Sequence, residues 1–362
     1  MTERCFKKMK RYAVLLTILS ILLTSCGRVT DTKPAPDKIS AAELTETMTT
    51  EEKVAQLLMV HCNNANMEHI LSTEPGGIIM FGVDFDGLSR DEVTDKIAGY
   101  KSAARIEPII SVDEEGGTVV RVSSNPSLAP AKYESPQYYY NIGGLSAITE
   151  NAAEKSDLLA SLGITMNLAP VADVSENPSD FIYDRSLGMD AAATAEYISA
   201  VVGTMKQHNV LSCLKHFPGY GGNLDTHTGV AIDDRPLSQL RENDFLPFKA
   251  GIDAGADAVL VAHNIITDVD GSQPASISPA IHEILRTELG FNGIIITDDM
   301  NMGAMSAYQT PYKKAVLAGN DMMIVSDPDT AFNEILTAVN DGSIPMEMLD
   351  SAVLRVLRAK GY

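Results

Sequence analysis

The sequence predicts an α/β protein: a single TIM-like (β/α)8 barrel preceded by a lipoprotein-type signal peptide and a short tether. Three observations carry that expectation. Eight short apolar runs recur along the chain with helix-forming stretches between them. Ionisable residues gather where several of those runs end, and some 320 residues remain after the N-terminal segment, enough for one large core.

The N-terminal segment begins with Arg4, Lys7, Lys8, Lys10 and Arg11 and continues into an apolar run from Tyr12 to Leu23. A positive end followed by about a dozen apolar residues is the layout of a secretory signal, and it is shorter than the ~20 residues of a membrane-spanning helix. The run ends in Leu23-Thr24-Ser25-Cys26-Gly27, which resembles a bacterial lipobox. That resemblance implies a lipid on Cys26 and an extracytoplasmic protein anchored to the bacterial cell membrane. Residues 1–25 are then the signal peptide and 26–39 the lipidated cysteine with its tether, whose stretch 27–38 is polar and proline-containing. The barrel domain is expected over 40–362.

Within that domain the apolar runs are LLMVHC (57–62), GGIIMF (76–81), PIISVD (108–113), MNLAPV (166–171), LSCLKH (211–216), AVLVAH (258–263), GIIITD (293–298) and DMMIVSD (321–327). Nearly continuous apolar strands suit a parallel sheet covered on both faces. Helices are expected between them, among others over 50–56, 191–208 and 279–289. Asp113, Lys215, His216, His263 and Asp298 stand at strand ends. In a barrel those ends meet at one mouth, whereas a doubly wound sheet spreads them apart.

Formal net charge is −20, and without residues 1–25 the chain carries 23 basic and 47 acidic residues. A surface of that sign repels phosphate backbones and excludes nucleic acid as a partner. With Cys5 in the signal and Cys26 lipidated, Cys62 and Cys213 remain, both in apolar runs that predict buried free thiols.

The chemistry concentrates in four segments. GFNGIIITDDMNM (290–302) ends a strand in two carboxylates. A side chain at a strand terminus is rigidly aimed, as a nucleophile requires. Side chains alternate along an extended chain, so Asp298 is expected to face the mouth and Asp299 to serve the loop. LKHFPGYGGNLDTHTG (214–229) closes a strand with Lys215-His216 and follows it with a glycine-rich loop bearing Asp225 and His227. A carboxylate beside a histidine sets its tautomer and basicity, although either residue alone also fits a solvated loop. SVDEEGGTVVRV (111–122) supplies Asp113 and Arg121, and DRSLG (184–188) supplies Arg185. Asp113 offers acceptor oxygens, and Arg121, Arg185 and Lys215 offer hydrogen-bond donors. A lone basic residue is equally compatible with an ion pair.

Ile284-Leu285-Arg286-Thr287-Glu288, four residues, then Gly293-Ile294-Ile295-Ile296-Thr297-Asp298 resembles the active-site signature of glycoside hydrolase family 3. The 214–229 segment is similar to the KHFPG-type segment of that family's β-N-acetylhexosaminidase branch, and NLAPVADV (167–174) to one of its barrel strands. The resemblance implies Asp298 as nucleophile, His227 as acid/base with Asp225 as its partner, and Asp113, Arg121, Arg185, Lys215 and His216 as substrate-binding residues. Asp173 and His263 are left as structural partners. It implies a carbohydrate substrate ending in β-N-acetylglucosamine and no cofactor. A metal set of His216, Asp225 and His227 is conceivable, but nothing in the family pattern asks for one.

Three positions depart from the pattern: Thr118 stands where an arginine is common, Tyr220 where a second histidine is usual, and the loop before Asp225 is one residue shorter. Relatives acting on β-glucosides draw their acid/base from a domain after the barrel, and only about 65 residues follow Asp298 here. His227 is therefore the expected proton donor. A phosphorylase, a β-glucosidase or β-xylosidase, and an inactive lipid-anchored sugar-binding protein remain as alternatives.

Overall fold

Each of the eight apolar runs contains a strand. A computed structural model describes residues 39–222 and 231–362; the signal segment, Cys26, the tether, Asp225 and His227 lie outside the described residues. The strands are β1 (Leu58–His61), β2 (Gly77–Met80), β3 (Ile109–Val112), β4 (Met166–Asn167), β5 (Leu211–Phe217), β6 (Ala258–Val261), β7 (Ile294–Thr297) and β8 (Met322–Val325). All run parallel and form a closed barrel, with β8 pairing back onto β1 so that Leu58 faces Met323. The barrel and its helices form one compact unit, Ser40–Tyr362.

The strands are apolar throughout because both their faces are covered. Met59, Leu260 and Ile296 point into the barrel, while their neighbours Val60, Val259 and Ile295 pack outward against the helices. This alternation divides the core into an inner and an outer layer. The expected fourth strand, 166–171, forms ladder pairs only at Met166 and Asn167, with a single bridge from Val171 to Lys215 beyond. Pro170 lacks an N–H, which interrupts the ladder between them.

The helices begin where local chemistry starts them. Thr49 and Glu52 form a reciprocal cap for Thr50–Gln56, and Ser89 and Glu92 do the same for Arg90–Ser102. Asp190 accepts from the Ala193 N–H at 2.8 Å and starts Ala191–Gln207. The helix expected over 279–289 is instead α-helical over Pro279–Glu283 and a π-turn over Ile284–Glu288. The wider turn brings Arg286 to the carbonyls of Phe291 (3.1 Å) and Gly293 (2.7 Å) and to the carboxylate of buried Asp321 (2.5 Å). Arg286 thus staples the helix end to the start of β7. At Gly293 a Cβ would lie 2.4 Å from the Asp257 carbonyl, so only glycine allows that approach.

Cys213 is buried, Cys62 is half-buried, and both are free thiols as expected. Burial pushes each thiol up to about 12. No helix among the described residues is long and apolar enough to cross a membrane.

Candidate active site

The C-terminal ends of the strands surround an open cleft of about 690 Å³ lined by Asp113, Arg121, Arg185, Lys215, His216 and Asp298 among others. The six described residues that the sequence assigned to catalysis and sugar binding therefore share one cavity.

Asp298 follows the last residue of β7, and its N–H is held by the Val261 carbonyl on β6 at 2.9 Å. Its Oδ1 accepts the N–H of Asp299 at 2.8 Å. Asp299 is anchored on two sides: its carbonyl accepts from Nε2 of buried His263 at 3.0 Å, and its carboxylate lies 2.9 Å from His61 Nε2. Ser276 Oγ stands 2.6 Å from Nδ1 of the same His263. His263 is thus a structural partner, and what it holds is the turn that aims Asp298. Asp299 serves the loop as expected, its Oδ1 accepting the Asn301 N–H at 2.9 Å, and it also lines the cleft beside Asp298. The chain leaves extended geometry at Thr297, so strand alternation no longer governs the two carboxylates.

Opposite them lies an ionic network built from the DEEGG segment. Lys215, almost fully buried, donates to Asp113 Oδ1 and Glu115 Oε1, each at 2.6 Å. Arg185 grips Glu115 with two parallel bonds, Nε to Oε2 at 3.0 Å and Nη2 to Oε1 at 2.8 Å. Burial alone would raise the Glu115 carboxyl, but Arg185 and Lys215 outweigh it and hold the group well below the usual carboxylate range. Burial likewise disfavours the Lys215 ammonium, and Asp113 and Glu115 more than compensate, so that its pKa is raised. Glu115 is thus the buried hub on which two donors to the cleft are mounted. The sequence assigned it no role, although three consecutive acids after an apolar strand were the available signal.

His216 joins this network from the other side. Arg185 Nη2 approaches its Nε2 at 3.1 Å, and Asp173 Oδ2 lies 2.8 Å from its Nδ1. A guanidinium only donates, so Nε2 carries the lone pair and the proton sits on Nδ1 facing Asp173. Both ring nitrogens have protein partners in this arrangement, so His216 braces Arg185 while lining the cleft. Asp173 also accepts the N–H groups of His216 (3.0 Å) and Tyr220 (2.7 Å), consistent with a structural role. Tyr220, at the position where the family usually has histidine, packs edge-on against His216 with ring centroids 5.1 Å apart.

Arg121 extends over the cleft with Nη2 3.9 Å from Asp113 Oδ2. Its Nε is buried and has no hydrogen bond among the described residues. Glu114 points the other way and fixes the loop, accepting the N–H groups of Arg121 (2.7 Å) and Val122 (2.6 Å). The DEEGG acids thus divide the work: Asp113 faces the cleft, Glu114 folds the loop and Glu115 carries the cations. Among the described residues no group of three or more His, Cys, Asp or Glu is arranged to hold a metal ion.

A parallel barrel with a strand-end carboxylate and a donor-rich polar cleft at its mouth has the layout of a TIM-barrel enzyme. Residues 49–359 match the glycosyl hydrolase family 3 N-terminal domain, and the chain belongs to that family. It is a glycoside hydrolase. A β-hexosaminidase of Stenotrophomonas maltophilia (strain K279a) is 38% identical over 276 residues, covering 74% of this chain and 81% of that one. The β-hexosaminidase LpqI of Mycobacterium tuberculosis is 31% identical over 325 residues, covering 86% of this chain and 82% of the relative. The solved structure of M. tuberculosis LpqI superimposes with a TM-score of 0.81 at 28% identity, covering 89% of this chain and 97% of that one. A family 3 β-N-acetylglucosaminidase structure from Paenibacillus sp. str. FPU-7 gives a TM-score of 0.80 at 30% identity, covering 86% of this chain; the chain spans 62% of that longer one.

Proposed function

We propose that the protein is an exo-acting, retaining β-N-acetylhexosaminidase that releases terminal non-reducing β-N-acetylglucosamine. The observation that carries this reading is Asp298, aimed by a buried strand end into the same cleft as Asp113, Lys215, Arg185 and Arg121. The names of the Stenotrophomonas and Mycobacterium relatives support the hexosaminidase choice. Asp113 accepts hydroxyl protons of the bound sugar, while Lys215, Arg185 and Arg121 donate to its oxygens. Asp298 forms a bond to the anomeric carbon as the bond to the leaving oxygen breaks, and His227 gives that oxygen a proton. Water then loses a proton to His227 and displaces Asp298, restoring the carboxylate. Asp225 steadies the imidazolium formed in between.

Lipidation of Cys26 would place the enzyme outside the cytoplasm, against peptidoglycan fragments or chitin oligosaccharides. The cysteine position in Leu23-Thr24-Ser25-Cys26 supports this placement. Trapping with a 2-fluoro or slowly turned-over N-acetylglucosaminide, followed by peptide mapping, tests the mechanism. Label is expected on the peptide containing Asp298, and label elsewhere sinks it. Product formation in phosphate-free buffer separates hydrolysis from phosphorolysis.

A further inference from the structure

We propose that Phe181 is a specificity residue at the rim of the cleft, an apolar platform for the pyranose ring of the leaving group. This deepens the function proposed above and rests on it: with the terminal sugar held at the strand ends, the rest of the glycan has to pass the rim.

Apolar side chains scattered singly over a surface are ordinary, so position and support decide the matter. Tyr138 at 48 % and Phe181 at 39 % are the most exposed Tyr and Phe side chains among the described residues. Both flank the loop that carries Arg185. Phe181 precedes Arg185 by four residues on that loop, and Tyr138 follows Gln137, whose Nε2 donates to the Tyr183 carbonyl at 2.7 Å. The exposed aromatic surface is therefore gathered beside one donor of the cleft.

Phe181 is also backed from within. Its ring centroid lies 5.8 Å from that of Tyr220, which is fully buried, and Tyr220 lies 5.1 Å from the ring of His216, part of the cleft wall. Three rings thus run outward from the cleft, and Phe181 is the one that meets solvent. The loop fixes it there. Ser175 and Asn177 donate to the two oxygens of Asp180 at 2.8 and 3.0 Å, and the Tyr183 N–H returns to the Asp180 carbonyl at 3.1 Å. Ile182, the next residue, is buried with Tyr220, Val171 and Ala262. Core packing takes Ile182 and leaves Phe181 outside.

A pyranose carries hydroxyls around its edge and C–H groups on its faces. Those C–H groups are slightly positive and the face of an aromatic ring is slightly negative, so the two stack. Glu176, Asn177 and Ser179 are exposed on the same loop and offer polar partners for hydroxyls at the edge of such a ring.

The test uses the full chain and two substrates, N,N′-diacetylchitobiose and methyl β-N-acetylglucosaminide. Both leaving oxygens are alkoxides that need a proton, but only the first departs with a ring. In Phe181→Ala, kcat/KM on chitobiose should fall about 10-fold while the methyl glycoside stays within about twofold, and Phe181→Trp should restore the chitobiose value. Equal losses on both substrates, or no loss on chitobiose, overturn the platform. A Phe181→Trp protein as impaired as Phe181→Ala overturns it too. So does an alanine variant that sediments as a smaller species with an unchanged ratio between substrates, which would give this face to a second copy of the chain. A parent protein that releases N-acetylglucosamine from neither substrate sinks the proposed function itself. A parent that cleaves both, matched on both by Phe181→Ala, leaves that function standing and removes the platform alone.

Discussion

Replacing Glu115 with glutamine is the most direct probe of how the cleft is built. The carboxylate receives Lys215 at 2.6 Å and Arg185 at 2.8 and 3.0 Å, and its side chain is almost wholly buried. Removing one partner from a buried ion pair costs about 3–5 kcal/mol, because the other charge is left uncompensated. Glutamine keeps one acceptor oxygen and Lys215 keeps Asp113, which places the expected loss near the lower end, about 3 kcal/mol. For a domain of this size each kcal/mol lowers Tm by roughly 2 °C, giving a drop of about 6 °C. With Arg185 and Lys215 unpinned, kcat/KM for an aryl N-acetylglucosaminide should fall by about 10²-fold. The pH dependence has a definite sign. Glu115 is held below its ordinary value, so its stabilisation is complete above the unfolded pKa of about 4.3 and fades as pH falls below it. The difference in Tm between parent and variant should therefore shrink in acid. Calorimetry and steady-state kinetics measure both effects. A Glu115→Gln protein that melts within about 1 °C of the parent and keeps half its kcat/KM would refute the hub.

Three further outcomes are expected. Arg286→Met removes the staple between the π-turn and β7 and should destabilise by about 2–4 kcal/mol, read from urea midpoints, since Phe291 and Gly293 lose their donor and buried Asp321 loses one of its two cations, keeping Arg355 and the Ile295 N–H. Burial pushes the Lys360 amine down to about 7, with Glu107 opposing weakly. The folded state then binds fewer protons than the unfolded chain between about pH 7 and the ordinary lysine value of ~10.4, so stability should rise with pH across that range and rise less in Lys360→Met. Cys62 and Cys213, with thiols pushed up to about 12, should resist iodoacetamide in the native state and react after denaturation, as peptide mass spectrometry can follow. Rapid native labelling of Cys213 would contradict its burial.

The barrel was legible because parallel strands covered on both faces are written as continuous apolar runs, and all eight runs contain strands. The cleft residues were legible for a related reason: the strand ends of a barrel gather at one mouth, and Asp113, Lys215 and Asp298 stand there. What escaped were pairings between segments distant in sequence. Glu115 meets Arg185 and Lys215 across 70 and 100 residues, and neither partner is implied by the local pattern of an acidic triplet. The contacts of His216 with Arg185 and Asp173 escaped for the same reason, since those partners come from other loops. The π-turn at 284–288 escaped because its sequence is ordinary helix; the contacts of Arg286 with Gly293 and Asp321 that accompany the turn lie outside the local pattern.

A neutral sugar cannot exploit the charges concentrated at this mouth as net attraction, so their value must lie elsewhere. Lys215, Arg185 and Arg121 are set against Asp113 and Glu115, and the pairs hold long flexible side chains in single orientations. Rotamer freedom lost during folding is not lost again on binding, which favours a ligand whose hydroxyls bond weakly to water and protein alike. The same reasoning separates the two kinds of carboxylate. Glu115 is locked by two cations and is a poor nucleophile, whereas Asp298 is set at the strand end by the Val261 carbonyl and the Asp299 N–H. Chemistry should therefore follow Asp298, and affinity should follow Glu115.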